Sequence, residues 1–358
     1  MVASSQRRRE VTVADVAREA GVAKATASRA LGNYGAVSDD ARDRILAAAE
    51  ALGYRPNELA RSMNTGKSKT VGVVVGDIEN GYFALALRGI SDAAKRAGYD
   101  IILVNTSEDV DAEVDAVRLL LDKRVDGMIV APASAYRVDH LRDVFDSGRP
   151  LVFLDRQVEG LPAFSVGVDI APAARAATAA LIHDGHRRIA FVSALGTDGD
   201  RYSGLPLGVS SVADRLVGIL EGLEEIGIPA TPDLIRYGAD GLEKTRAVIA
   251  DLMALSDPPT AILMSDSLVA LNVLLALREL GIQVPKDVSV VAFDDFDWAA
   301  LTNPPLTVVA QPIYEVGVAA ADVLIRLMRG QTPEETTVRL PASLVRRDSI
   351  GRVAVAGR

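Results

Sequence analysis

From Val71 onward the chain alternates short, unbroken apolar runs with longer amphipathic stretches, and few architectures accept that pattern. The runs are Val71–Val75, Ile101–Val104, Gly127–Val130, Leu151–Leu154, Ile189–Val192, Ala261–Met264 and Val288–Phe293. Ala84–Ala97, Ala112–Lys123, Ala171–His183, Val212–Ile226 and Ser267–Leu280, all with helical spacing, separate most of them. Strands that are apolar at every position are covered on both faces, and parallel neighbours need a crossover such as a helix. The pattern therefore predicts a doubly wound parallel α/β fold. The 289 residues after Lys69 are more than one core comfortably supports, so two such subdomains are expected.

The first 69 residues read differently. Thr12 with Asp15 is a capping-box start, and Val13, Val16, Ala17 and Ala20 follow at helical spacing until Gly21. A second helix begins at about Lys24 with Ala27, Ala30 and Leu31 inward. The connection Gly21-Val22-Ala23 has the length and glycine of a helix-turn-helix. A third helix follows Ser38, with Asp39 and Asp40 favouring its N-terminus and Ile45, Leu46, Ala49 and Leu52 facing inward, and it stops at Gly53. Asn57–Asn64, after Pro56, is too short to hold a helix alone. Gly66-Lys67-Ser68-Lys69 reads as a basic linker, and the domain boundary is placed there.

Charge follows the same division. The whole chain carries −9 with three histidines and no cysteine. Residues 1–69 hold 12 Lys and Arg against 8 Asp and Glu, whereas the remainder holds 27 against 40. A basic head on an acidic body points to a nucleic-acid or membrane contact confined to the head.

Other chemistries lack their residues. Without cysteine there are no disulfides, thiolate metal sites or cysteine nucleophiles. Gly66-Lys67-Ser68 ends like a P-loop, but Arg61 stands where its first glycine belongs, and no G-x-G-x-x-G follows a strand. His183 and His186 have the spacing of a metal pair but straddle Gly185 without a third ligand, which reads as a helix end. No G-x-S-x-G elbow accompanies the isolated His140. Asp294 and Asp295, at a strand end, suit acid–base chemistry or acceptance of polyol hydroxyls. No apolar run approaches the ~18–20 residues of a membrane span. Arg7-Arg8-Arg9 is followed by Glu10, Asp15, Arg18 and Glu19 rather than an apolar stretch, so export by a signal peptide is not expected.

In a helix-turn-helix the second helix lies in the major groove with its first residues on base edges. Those are Lys24 and Ala25, with Thr26, Ser28 and Arg29 near by. Lys donates to guanine, Ala meets a thymine methyl, and hydroxyls hold phosphates.

Val11 to Val22 (VTVADVAREAGV), followed by Thr26, Ser28, Arg29 and Leu31, resembles the headpiece of the lactose-repressor (LacI/GalR) family of bacterial transcription regulators. Val37-Ser38, Leu52 to Asn57 (LGYRPN), Ala60-Arg61-Ser62 and Thr65-Gly66 continue the match. Asp77, Asn80 to Phe83, Val125-Asp126-Gly127, Leu154-Asp155-Arg156, Gly185 to Ile189, Val288 to Asp295, Pro304 to Thr307 and Gln311-Pro312 extend it over about residues 11–350.

The resemblance implies a disordered basic arm over 1–10, a helix-turn-helix DNA-binding domain over 11–56, and a hinge helix and linker over 57–69. A periplasmic-binding-protein-like (type I) effector domain over 70–358 follows, crossed three times by the chain. Its N-subdomain is expected over about 70–168 and 300–333, and its C-subdomain over about 169–299 and 334–358. The implied partners are a near-palindromic double-stranded operator, a second copy of the chain, and a small effector such as a sugar, with no membrane, metal or cofactor. Thr12, Tyr54, Asn57 and Ala60 are implied on the DNA side, with Met63 as an apolar minor-groove wedge. Asp77, Asn80, Tyr82, Phe83, Asp155 and Arg156 are implied on one effector wall, and Arg215, Asp266 and Asp294 on the other. The chain departs from the family at Ala23, where a capping Ser or Thr is usual, and at Gly81, where proline is common. Asp266-Ser267 stands for the usual Asn-Asp, and Gly196–Gly208 is a longer, Gly-rich loop. The expected function is a ligand-responsive, non-enzymatic, cytoplasmic transcription regulator. A solute-binding protein and a sugar-acting α/β enzyme are the alternatives that share the body fold.

Overall fold

The computed structural model describes residues 11–32, 34–54, 66–196, 202, 204 and 210–353. They fall into two units, one ending at Lys69 and one starting at Thr70. The arm 1–10, the hinge positions Asn57, Ala60 and Met63, and most of the Gly196–Gly208 loop lie outside the described residues.

In the first unit α1 spans Val13–Glu19, α2 Lys24–Gly32 and α3 Asp39–Ala51. The main-chain N–H and hydroxyl of Thr12 donate to the Asp15 carboxylate at 3.0 and 2.7 Å, and Thr12 Oγ1 accepts from the Asp15 amide at 3.4 Å. This reciprocal box fixes the start of α1. Gly21 and Gly53, at φ +66° and +63°, supply the left-handed residue that ends α1 and α3. Val16, Ala17, Ala20, Ala27, Ala30, Ile45, Ala48 and Ala49 make a core dominated by alanine, which lets the three helices approach closely. Leu46 was expected inward and is half exposed. Ile45, Ala48, Ala49 and Leu52 already fill the inward stripe at i, i+3, i+4 and i+7, and the next residue along is turned about 100° away.

The second unit contains two six-stranded sheets. Strands are numbered in chain order: β1 (Thr70–Val75), β2 (Asp100–Asn105), β3 (Gly127–Val130), β4 (Leu151–Leu154), β5 (Phe164–Asp169), β6 (Ile189–Val192), β7 (Ile235–Arg236), β8 (Ala261–Met264), β9 (Ser289–Phe293), β10 (Thr307–Ala310), β11 (Thr337–Pro341) and β12 (Ser343–Val345). The first sheet runs β11-β5-β4-β3-β1-β2 and is parallel throughout. The second runs β12-β10-β9-β8-β6-β7, with only β12 antiparallel. The covering helices are α4 (Gly81–Arg96), α5 (Val110–Asp122), α6 (Asp139–Asp146), α7 (Ala171–His183), α8 (Ser210–Glu224), α9 (Leu242–Met253), α10 (Ser267–Glu279), α11 (Asp297–Leu301) and α12 (Ile313–Met328). A Cβ on Gly89 would meet the Tyr314 carbonyl, and one on Gly317 the Ala86 carbonyl, so α4 and α12 pack backbone to backbone beside the first sheet.

The chain passes from one sheet to the other three times: after Asp169, after Ala310 and after Pro341. The second and third crossings fall later than the expected 300 and 334. Thr307–Ala310 still pairs with β9, and Thr337–Pro341 still pairs with β5. For the third the cause is local: β11 is half exposed and mixed in polarity, so it shows none of the unbroken apolar character that marks the central strands.

Candidate functional site

Ligands of doubly wound sheets bind outside the carboxyl ends of the strands, where the strand order reverses. In the first sheet β1 lies between β2 and β3, and in the second β6 lies between β7 and β8. Asp77 follows β1, Asp155 follows β4, Asp266 follows β8 and Asp294 follows β9. Both sheets thus offer a carboxylate at each of two such ends. Asp155 and Asp294 occupy equivalent places and both have left-handed backbones, at φ +66° and +73°. Among non-glycine residues Asn and Asp visit this conformation most readily, and such local strain concentrates at functional positions.

Tyr82 and Phe83 leave the first turn of α4 fully packed, with ring centroids 5.5 Å apart and edge to face. Tyr82 Oη lies beside the Asp155 carboxylate but outside hydrogen-bonding geometry. Burial, and then the Asp155 charge, raise its pKa well above the usual phenol value; Arg215 opposes this and Asp294 adds to it. A residue of the first subdomain therefore feels two charges from the second. Arg215, on α8, is buried, places its guanidinium 5.2 Å over the Phe293 ring and leaves Nε without a partner. Asp294 accepts from Gln311 Nε2 through Oδ1, while Oδ2 is buried and unpartnered. Burial raises the Asp294 carboxyl to about 6; Arg215 and Gln311 pull it down, and Asp266 and Asp155 push it up. Half-buried Asp214, beside Arg215, is also raised, by burial first, with Arg339 opposing and Asp155 adding. Neither Asp214 nor Gln311 was singled out in the sequence; Gln311-Pro312 appeared there only within the family match.

Other expected residues are committed elsewhere. Asp77 Oδ1 accepts from the Glu79 amide, and Asn80 Oδ1 accepts from the Tyr82 amide to cap α4. Asp266 Oδ1 accepts from the Leu268 and Val269 amides and Oδ2 from the Ser265 hydroxyl, so its extra charge serves the start of α10. Arg156 donates to both oxygens of Glu108, at 2.6 and 2.8 Å, and to the Pro132 carbonyl at 2.9 Å, with its guanidinium 5.9 Å from the Phe83 ring centre. Glu108 was not expected. Asp295, next to Asp294, turns to Arg347, which donates to both its oxygens at 2.8 Å. The neighbouring carboxylates are therefore not an acid–base pair. His186 is buried between Thr260 Oγ1 at 2.9 Å and the Gly351 carbonyl at 3.0 Å. Burial lowers its pKa.

In the head, Lys24 and Ala25 stand exposed at the start of α2, with Thr26, Ser28 and Arg29 half-buried behind them. Ala23 contributes only its carbonyl to the cap, which accepts from Thr26 and Ala27 at 2.9 and 3.0 Å. Ser28 Oγ shares a 2.8 Å hydrogen bond with Tyr34 Oη, and Arg29 Nε donates to the Ala25 carbonyl at 3.2 Å. These bonds brace α2 from behind and leave Lys24 and Ala25 as its most accessible leading side chains. Tyr54 packs half-buried against the helical core. Tyr34 carries no motif of its own and was not singled out in the sequence.

A family model for bacterial regulatory proteins, lacI family, matches residues 12–57, and one for a periplasmic binding protein-like domain matches residues 178–350. Catabolite control protein A of Priestia megaterium is 33% identical over 340 residues, covering 95% of this chain and 99% of that protein. Among solved structures, the lac repressor dimer bound to operator and an anti-inducer superposes with a TM-score of 0.81 at 27% identity, covering 95% of this chain and 99% of that one. The transcriptional regulator CelR in complex with cellobiose gives a TM-score of 0.69 at 27% identity, covering 95% of this chain and 100% of that one. A helix-turn-helix head and a two-sheet body with charged residues gathered at the strand ends agree with these matches along nearly the whole chain: it belongs to the LacI family of DNA-binding bacterial transcription regulators.

Proposed function

We propose that this regulator binds a near-palindromic operator as a homodimer in the bacterial cytoplasm, and that a sugar or sugar derivative in the cleft controls that binding. The observation that carries the reading is the convergence of Tyr82 and Asp155 from one wall with Arg215 and Asp294 from the other. Three of these side chains leave a buried polar atom unpartnered. A polyhydroxylated ring supplies both donors and acceptors to such a set, and aromatic Phe83 and Phe293 supply apolar surface. Among the described residues around these groups none forms a nucleophile set or phosphate loop, and the arrangement suits binding and switching.

Control follows from linkage. A ligand that favours one arrangement of the two subdomains shifts the equilibrium of the dimer, and coupling of ~1–3 kcal/mol changes operator affinity about 5–150-fold. Lys24 and Ala25 are assigned to base edges, Thr12, Thr26, Ser28, Arg29 and Tyr54 to positioning, and Met63 with Asn57 and Ala60 to the hinge contact.

The test has two arms. Selection from a random duplex pool is expected to return a two-fold-symmetric site, and a thermal-shift screen of sugars a ligand that changes affinity for that site. Recovery of no sequence preference refutes the regulator assignment. Conversion of a sugar on incubation with the protein, followed by chromatography, favours the enzyme alternative.

A further inference from the structure

Gly81 opens α4, yet its backbone does not demand glycine. Asn80 before it is extended, at φ −72° and ψ 117°, as a residue before proline prefers, and the first helical position accepts proline readily. What demands glycine is space. A Cβ at position 81 would lie 2.6 Å from Cζ and 2.8 Å from Cε1 of Phe296. Gly81 belongs to the first subdomain. Phe296 stands between β9 and α11 in the second, two residues beyond Asp294. Its ring therefore reaches from the second subdomain to the start of the helix that carries Tyr82 and Phe83, within their apolar cluster.

The balance of forces gives this contact a role. Bringing the walls together buries Tyr82 Oη, Asp294 Oδ2 and Arg215 Nε without partners, which opposes closure. Apolar contact between the subdomains favours closure. We propose that Phe296 seated on Gly81 is a cross-cleft latch: it holds the two subdomains together and has to lift before a ligand enters or leaves. Its consequence for ligands rests on the reading of the cleft as the effector site, because affinity falls in proportion to the closed fraction. The latch itself is a property of the chain without added ligand. A proline at position 81 would put its ring where that of Phe296 stands.

The chain has no cysteine of its own, which permits a direct test. Spin labels on cysteines introduced at Arg118 of α5 and Lys244 of α9, both exposed, report the separation of the subdomains. Labelled protein is diluted with unlabelled protein so that each dimer carries one labelled chain. In that background Phe296→Ala and Gly81→Pro are each expected to move the distance distribution to longer values without ligand. The double variant moves it no further, because both changes remove the same contact. Unchanged distributions in both single variants overturn the latch. A shift in Gly81→Pro alone assigns the effect to the helix start and overturns it equally. Failure of the effector reading shows separately, as a wild-type distance that stays fixed with ribose, galactose, glucose and cellobiose.

Discussion

Glu108 holds the guanidinium of Arg156 through both carboxylate oxygens, 2.6 and 2.8 Å away, across 48 residues of sequence. Arg156 is thereby a strut under Phe83 rather than a free cation for a ligand. Gly76 makes the pair possible, since a Cβ there would meet the Glu108 carboxylate. Glu108→Gln removes the bidentate partner of an almost buried guanidinium and leaves Asp155, 3.8 Å from Arg156 Nε, as its nearest counter-charge. Because Glu108 is itself partly exposed, the expected cost is about 1–3 kcal/mol, below that of a fully buried pair. Urea denaturation checks it. A midpoint equal to wild type shows that the pair does not support the wall.

Arg215 has no such carboxylate clamp among the described residues: its guanidinium stacks on Phe293 and its Nε, like that of Arg156, has no hydrogen-bond partner. Arg215→Ala is expected to abolish the effector response while operator binding persists, because the head folds on its own core. Fluorescence anisotropy on labelled operator, with and without the sugar found in the screen, measures both. A response of wild-type size in the variant removes Arg215 from the site.

Much of this was legible in the chain itself, and the reasons differ by element. The central strands were readable because burial on both faces writes an unbroken apolar run, and α1 because the Thr12–Asp15 box is a local signal. The strands Phe164–Asp169 and Thr337–Pro341 were not, being edge or near-edge strands with polar positions such as Ser165 and Arg339. Leu46 shows the limit of periodicity: a leucine one step off the stripe looks the same as one on it. In the cleft, Asp155, Arg215 and Asp294 came from the family pattern. Glu108 and Phe296 belong to no local motif and Gln311 stood only within the family match; their roles depend on which distant residue the fold brings alongside. The departure at Gly81 was visible, but what a side chain there would meet required the position of Phe296.

Asp294 makes stability depend on pH in a defined direction. Its folded pKa of about 6 lies above the ordinary carboxylate value, so the folded state holds the proton more tightly than the unfolded chain. The group's contribution is then fully present below about pH 4 and is lost as pH rises through 6. The loss is on the order of 3 kcal/mol at neutral pH. Asp294→Asn keeps an acceptor for Gln311 and removes the charge. The variant is expected to be more stable than wild type at pH 7.5 and to lose that advantage at pH 4, by thermal denaturation, while failing to answer the effector. Equal stability curves at both pH values refute a buried, uncompensated carboxylate.

Lys24 leads α2 with its side chain exposed, while Ser28 and Arg29 behind it are tied to Tyr34 and the Ala25 carbonyl. A lysine so placed reaches either a guanine edge or a phosphate, and the two produce different variants. Contact with a base edge discriminates by about 1–3 kcal/mol against the wrong base, so Lys24→Ala relaxes preference at one or two positions in each half-site and leaves the others unchanged. Contact with a phosphate weakens binding to every sequence alike and lowers the salt dependence by about one unit of slope. The exposed start of the helix and the bracing of its later residues favour the first outcome. Binding of Lys24→Ala to a library of single-base operator variants at two salt concentrations separates the two. A uniform loss across the library moves Lys24 from reading bases to positioning the head.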